Sequence, residues 1–276
     1  MREIKSEKIT ETIRDLFIKA NYQLPDDVFS ALSESRENDP AASGILGLLC
    51  ENAKEASKGH FPICQDTGMA FVFAEIGQDV HVSGALFKDA VNEGVRQAYA
   101  EGYLRKSVVR SPIDRVNTSD NTPAVIYTEI VPGDKIKLYA LPKGFGSENM
   151  SRLKMMVPSA SIDDICDFVV DAVVGAGANP CPPVTVGVGI GGSFDYCAYL
   201  SKKALLGKIG VHDPDNEELE EKILKKINEK GKGAQGLGGC STALCVFVRS
   251  YPTHIAGLPV AVNICCHASR HAEAVI

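Results

Sequence analysis

The chain has 276 residues, 45% of them hydrophobic and 23% charged, with a formal net charge of −6. That balance belongs to a globular protein with enough length for a sizeable core, and an acidic sum without a basic block argues against a nucleic-acid partner. No apolar run reaches membrane-spanning length, and Met1-Arg2-Glu3-Ile4-Lys5 does not open a secretory signal, so a cytoplasmic location is expected.

Residues 6–19 carry Ile9, Ile13, Leu16 and Phe17 at helical spacing. Residues 25–37, opened by Pro25-Asp26-Asp27, predict a second helix, and residues 41–57 a third. The chain is expected to be a single domain, in which this helical layer over residues 1–58 leads into an α+β core over 59–276. Ile63-Cys64-Gln65-Asp66-Thr67-Gly68, preceded by Pro62, predicts a tight loop holding a thiol, an amide and a carboxylate in succession. A strand is expected over 69–76 and a helix over 86–101. Residues 103–122 are polar and basic, with Arg105 and Arg110 suited to bidentate pairing with a carboxylate. Residues 124–131 and 135–141 predict two strands joined by Pro132-Gly133-Asp134 as a hairpin.

A second glycine-bearing loop follows over 143–149. A helix capped by Ser161 is expected over 161–174. Cys181 lies between prolines in a rigid loop. A strand over 184–190 gives way, at Gly191-Gly192-Ser193, to a helix reaching 206. Residues 217–230 predict a strongly charged helix with a solvated face, and 243–248 and 260–264 predict buried strands. The sum is an α+β fold of mixed and antiparallel β-sheets surrounded by α-helices, with candidate site residues on loops.

Nine cysteines demand an account. Their number is odd and no Cys-x-x-Cys occurs, which removes zinc ribbons and thioredoxin-like sites, and a disulfide framework does not suit the cytosol. Cys50, Cys166 and Cys197 fall in helical patterns, Cys245 in a strand, and Cys240 beside Gly238-Gly239; these read as packing residues. Cys64, Cys181 and Cys266 share another character, each at the edge of an expected strand. Three thiolates suit an iron–sulfur cluster with one open iron able to act as a Lewis acid. Asp66 would then be a natural proton carrier. His254 is a possible acid or base, although a lone histidine is more often structural. The competing pattern is Gly187-Val188-Gly189-Ile190-Gly191-Gly192, a formal G-x-G-x-x-G that would imply a dinucleotide-binding oxidoreductase. The poor second strand over 207–213, and a similar turn at Gly236-Leu237-Gly238-Gly239, argue against it.

Five blocks together resemble one family. They are Ile63-Cys-Gln-Asp-Thr-Gly68, Asn117-Thr-Ser-Asp-Asn-Thr-Pro-Ala124, Lys143-Gly-Phe-Gly-Ser-Glu-Asn149, Gly189-Ile-Gly-Gly-Ser-Phe-Asp195, and Leu258-Pro-Val-Ala-Val-Asn263 with Cys266-His267. They are similar to the α subunit of class I, iron–sulfur-dependent fumarate hydratase and L-tartrate dehydratase. The resemblance implies a [4Fe-4S] cluster on Cys64, Cys181 and Cys266, with Cys265 as the competing third ligand. It also implies that Gln65, Asp66, Arg105 and His254 face the substrate beside the loop containing Gly146, with Arg110 competing for the place of Arg105. The reaction implied is hydration of fumarate to L-malate, with dehydration of L-tartrate to oxaloacetate as the alternative. Fumarate is preferred only because it is the more widespread substrate. A separate β subunit is implied as partner, in a higher oligomer, and that partner could supply the general base in place of Asp66.

Overall fold

The computed structural model describes residues Met1–Ile276. In chain order the elements are β1 (Arg2–Lys5), α1 (Ser6–Tyr22), α2 (Asp26–Asn38), α3 (Ser43–Ala56), β2 (Met69–Gly77), β3 (Val80–Ser83), α4 (Phe87–Glu101), β4 (Val125–Val131), β5 (Ile136–Lys143) and α5 (Phe145–Glu148). There follow β6 (Arg152–Met156), α6 (Ile162–Ala176), β7 (Val184–Gly191), α7 (Phe194–Ala204), α8 (Glu217–Lys230), β8 (Ala243–Tyr251), β9 (Leu258–Cys265) and β10 (Ala272–Val275). The fold is α+β, as expected, and no helix is long and apolar enough to cross a membrane. Contacts divide the chain into two compact units. The first comprises Met1–Pro25, Ala53–Phe145 and Arg270–Ile276; the second comprises Asp26–Asn52 and Gly146–Ser269.

The first unit is built on a four-stranded sheet in the order β10-β5-β2-β4. Five successive residues of β2, Ala70 to Ala74, are buried, as a central strand covered on both faces requires. Against the sheet pack α1 and α4, contributing Ile9, Ile13 and Phe17 and Val91, Val95 and Tyr99 to one core. The two helices approach closely at Gly94, where a Cβ would stand 2.6 Å from the Thr10 carbonyl. The expected hairpin is corrected here. β4 and β5 do not pair with one another; β2 lies between them, parallel to β4 and antiparallel to β5. The turn opens because the end of β2 takes its hydrogen bonds. Gly77 donates to the Lys135 carbonyl, Gln78 to that of Val131 and Asp79 to that of Gly133.

The second unit is built on the sheet β6-β9-β7-β8, in which β7 runs parallel to β8 and antiparallel to β9. Alternation along β7 divides its two faces. Val186 and Val188 join one core with Val169 and Val173 of α6 and Ile223 and Ile227 of α8. Gly187 and Gly189 face α7. A Cβ at either would stand 2.1 Å from a carbonyl oxygen of that helix, Ser201 or Cys197 respectively. The G-x-G-x-x-G pattern therefore has a packing explanation: its first two glycines let a helix lie directly on a strand. The cap on α6 is as expected. Asp164 N–H donates to Ser161 Oγ at 3.2 Å, and Ser161 N–H donates to the Asp164 carboxylate at 2.7 Å.

Four short strands, β1, β3, β6 and β10, were not anticipated. With four or five residues each, they are too brief to display an alternation of their own.

Candidate functional site

In the first unit the 61–68 segment is a loop leading into β2. Ile63 is buried, and its N–H donates to the Asn21 carbonyl at the end of α1. Cys64 is half-buried, Gln65 exposed, Asp66 half-buried and Thr67 fully buried. Gly68 turns the chain at φ +83, where a Cβ would meet the Lys143 backbone nitrogen at 2.7 Å; only glycine fits. The Asp66 carboxylate is fixed by two backbone donors, Gly68 N–H at 3.1 Å on Oδ1 and Phe145 N–H at 2.9 Å on Oδ2. An ionised carboxylate offers about four lone-pair sites, so part of its accepting capacity is left.

The carbonyls of this loop are taken by buried side chains from elsewhere in the unit. Arg270 Nη2 donates to the Asp66 carbonyl. The Tyr99 hydroxyl lies 2.8 Å from the carbonyls of both Thr67 and Gly68. Burial pushes this phenol well above its ordinary pKa, so it stays a neutral donor. Asn121 Nδ2 donates to the Gly68 carbonyl at 3.1 Å, and its Oδ1 accepts from Ser107 N–H. Thr67 Oγ1 accepts from the Arg105 N–H at 2.9 Å. Arg105 is thus pinned by its backbone to the loop while its side chain is exposed. Arg110, also exposed, is tied instead to Val116.

In the second unit Cys181 is exposed and holds φ +53, a left-handed conformation uncommon for any residue with a Cβ. His267 N–H donates to the Cys181 carbonyl at 3.2 Å, and this contact brings the loop that carries Cys266 against the one that carries Cys181. Gln235 completes the arrangement, with its backbone and side-chain nitrogens 2.7 and 2.6 Å from the Pro182 carbonyl. Cys266 is half-buried, just beyond β9. Its neighbour Cys265 is 2% exposed, inside the strand and facing the core.

His254 is exposed in the 252–257 turn. Its Nδ1 accepts from Ala256 N–H at 3.2 Å, which assigns the proton of the neutral ring to the outward Nε2. Gly146 is exposed in α5. Glu148, also in α5, pairs with the buried Lys202 and accepts from Asn263 Nδ2 at 3.2 Å.

None of the nine cysteines forms a disulfide. In neither unit do three His, Cys, Asp or Glu side chains stand together as a ready-made metal site. Among the residues just described, Tyr99, Arg270, Gln235 and Lys202 carried no local sequence signal. Asn121 lay inside a noted block, but nothing marked it as the clamp on Gly68.

Comparison with known proteins adds the following. A family model described as fumarate hydratase (Fumerase) matches residues 10–275. A Methanocaldococcus jannaschii protein, provisionally named L(+)-tartrate dehydratase subunit alpha, is 42% identical over 275 residues, covering 96% of each chain. L(+)-tartrate dehydratase subunit alpha of Escherichia coli K12 and its counterpart in Shigella boydii serotype 4 are each 31% identical over 271 residues, covering 95% of this chain and 89% of theirs.

Proposed function

This chain belongs to the class I fumarate hydratase and tartrate dehydratase α family, and on that premise we propose that it is the α subunit of a hydro-lyase that dehydrates L(+)-tartrate to oxaloacetate. Tartrate takes the place of fumarate, which base rates alone had favoured, because the relatives above are named for tartrate. Their names as alpha subunits likewise support a separate β subunit as partner. Nine cysteines without a disulfide suit a reducing cytoplasm.

Cys64, Cys181 and Cys266 would hold the [4Fe-4S] cluster. Two observations fit that group. Each of these thiols lies on a loop and is at least partly accessible, whereas Cys265 is buried in a strand. Beside the Cys64 loop stands a buried guanidinium with unpartnered nitrogens. When bound, the cluster supplies an open iron that makes hydroxide a tolerable leaving group. The chain's own side chains do the rest. Asp66 takes the proton from the carbon next to one carboxylate, as hydroxide leaves the neighbouring carbon; the enol so formed becomes the keto acid. Arg105 neutralises the charge that grows on that carboxylate during proton removal. His254, with its proton on Nε2, orients the other carboxylate. Gln65 and Gly146 line the substrate.

The observation that carries this assignment is the fixed Asp66 carboxylate, oriented by two backbone donors and two residues from Cys64. The test is anaerobic reconstitution with iron and sulfide, followed by kcat/KM for L-tartrate dehydration and for fumarate hydration with the β subunit added. About four irons per chain are expected, lost in Cys64→Ser, Cys181→Ser and Cys266→Ser and kept in Cys265→Ser. Asp66→Asn should keep its iron and lose about 10²–10⁴-fold in kcat. A larger kcat/KM for fumarate would return the assignment to fumarate hydratase. No iron uptake by the wild type would remove the cluster.

A further inference from the structure

Arg270 is the bulkiest of the fully buried side chains, with 2% of its surface exposed. Its Nη2 is satisfied by the Asp66 carbonyl, but Nε and Nη1 are buried with no hydrogen-bond partner in the chain. The nearby Asp66 carboxylate is turned to the amides of Gly68 and Phe145. A buried cation with neither counter-charge nor full hydrogen bonding is destabilising and calls for an anion. The guanidinium keeps unpartnered N–H donors on two different edges of its plane, at Nε and at Nη1, each able to meet an anionic acceptor.

We propose that Arg270 is a second-layer donor to the iron–sulfur cluster held through Cys64. One of its unpartnered N–H groups, on Nε or on Nη1, donates to cluster sulfur, while Nη2 fixes the backbone of the ligand loop. The inference rests on the cluster assignment above and deepens it. Three placements support it. Arg270 bonds a carbonyl two residues beyond Cys64, and it follows Cys266 by four residues in the sequence. Its burial suits a resident anion better than a substrate carboxylate, which must enter and leave at each turnover; the exposed Arg105 is placed for that duty. Finally, three thiolates give such a cluster a net negative charge, and hydrogen bonds to its sulfur set its reduction potential.

The experiment is an EPR-monitored redox titration of the anaerobically reconstituted chain as wild type, Arg270→Met and Arg270→Lys, with circular dichroism as the check on folding. Donors and positive charge favour the reduced, more negative cluster. Arg270→Met should therefore make reduction harder by about tenfold or more in the equilibrium, 59 mV for one electron. Arg270→Lys, which keeps the charge and loses the planar set of donors, should fall between. Pulsed EPR on wild type labelled with ¹⁵N-arginine needs no substitution at Arg270. A nitrogen coupling to the reduced cluster is expected, and it should persist in Arg105→Lys. Folded variants that titrate like wild type, with or without a raised KM, would overturn the inference, as would the absence of any arginine coupling. A wild type that binds no iron overturns the cluster assignment itself, and is seen before any variant is compared.

Discussion

The loops of Cys64 and Cys181 hold their thiols by opposite means. Around Cys64 the backbone is gripped from a distance in sequence: Arg270, Tyr99 and Asn121 take the carbonyls of residues 66–68. Around Cys181 the stiffness is local. Prolines flank the thiol and the residue itself is left-handed, with Gln235 and His267 as its outside supports. A loop clamped by remote side chains is as rigid as its unit's core. A loop stiffened by its own residues carries its strain on the spot, at the position that would bind metal.

Gly68→Ala should break the first arrangement most severely. It places a Cβ against the Lys143 backbone in a left-handed conformation, so a loss of about 2–4 kcal/mol is expected in chemical denaturation. Cys181→Gly sharpens the contrast. Relief of the left-handed strain is offset by glycine's greater freedom in the unfolded chain, so stability should hold within about 1 kcal/mol while iron uptake is lost. A large destabilisation would show that the thiol itself holds the loop.

Asp39 tests a third, buried support. It accepts from the N–H groups of Ala42, Cys240 and Ser241. Burial alone would raise its pKa, but the bonds from Ser241, Cys240 and Ala42 outweigh that and leave it lowered. Its contribution is therefore present above the ordinary value of 3.8 and lost as pH falls through the folded one. Asp39→Asn should cost about 1–3 kcal/mol at neutral pH, and the gap should close in strong acid.

The smallest effect is expected at His212. The hydrogen bond to Glu220 raises its pKa against some loss to burial. The sign is opposite: the contribution is full below 6.5 and fades as pH rises through the folded value. His212→Gln should cost under about 1 kcal/mol at pH 5–6. A pH-independent gap would mean that the ion pair contributes nothing.

The same contrast explains what could be read in advance. Every helix of ten or more residues was legible from apolar spacing and caps, because those signals are local. The Cys181 loop was legible from its prolines. The sheet order was not: two β-rich runs separated by Pro-Gly-Asp look like a hairpin, and nothing in either run announces that β2 will lie between them. The clamps on the Cys64 loop were hidden for a similar reason. A buried tyrosine or arginine is indistinguishable in sequence from an exposed one, and Arg270 stands more than 200 residues from the carbonyl it holds. Spacing did not distinguish Cys265 from Cys266; in the structure the first is buried at the end of β9 and the second is half-buried just beyond it.

The order of strands in the first unit also bears on how the chain is made. β10 lies at the edge of that sheet, against β5, yet the whole of residues 146–269 separates the two in sequence. On the ribosome, the second unit's final segment is synthesised before β10 exists. The unit that starts the chain is thus the last to be completed, and the segment that closes its sheet delivers Arg270 to the Cys64 loop in the same event. Until then that loop lacks one of its three clamps, so the nascent chain cannot hold the loop in its finished form before residue 270 has been made.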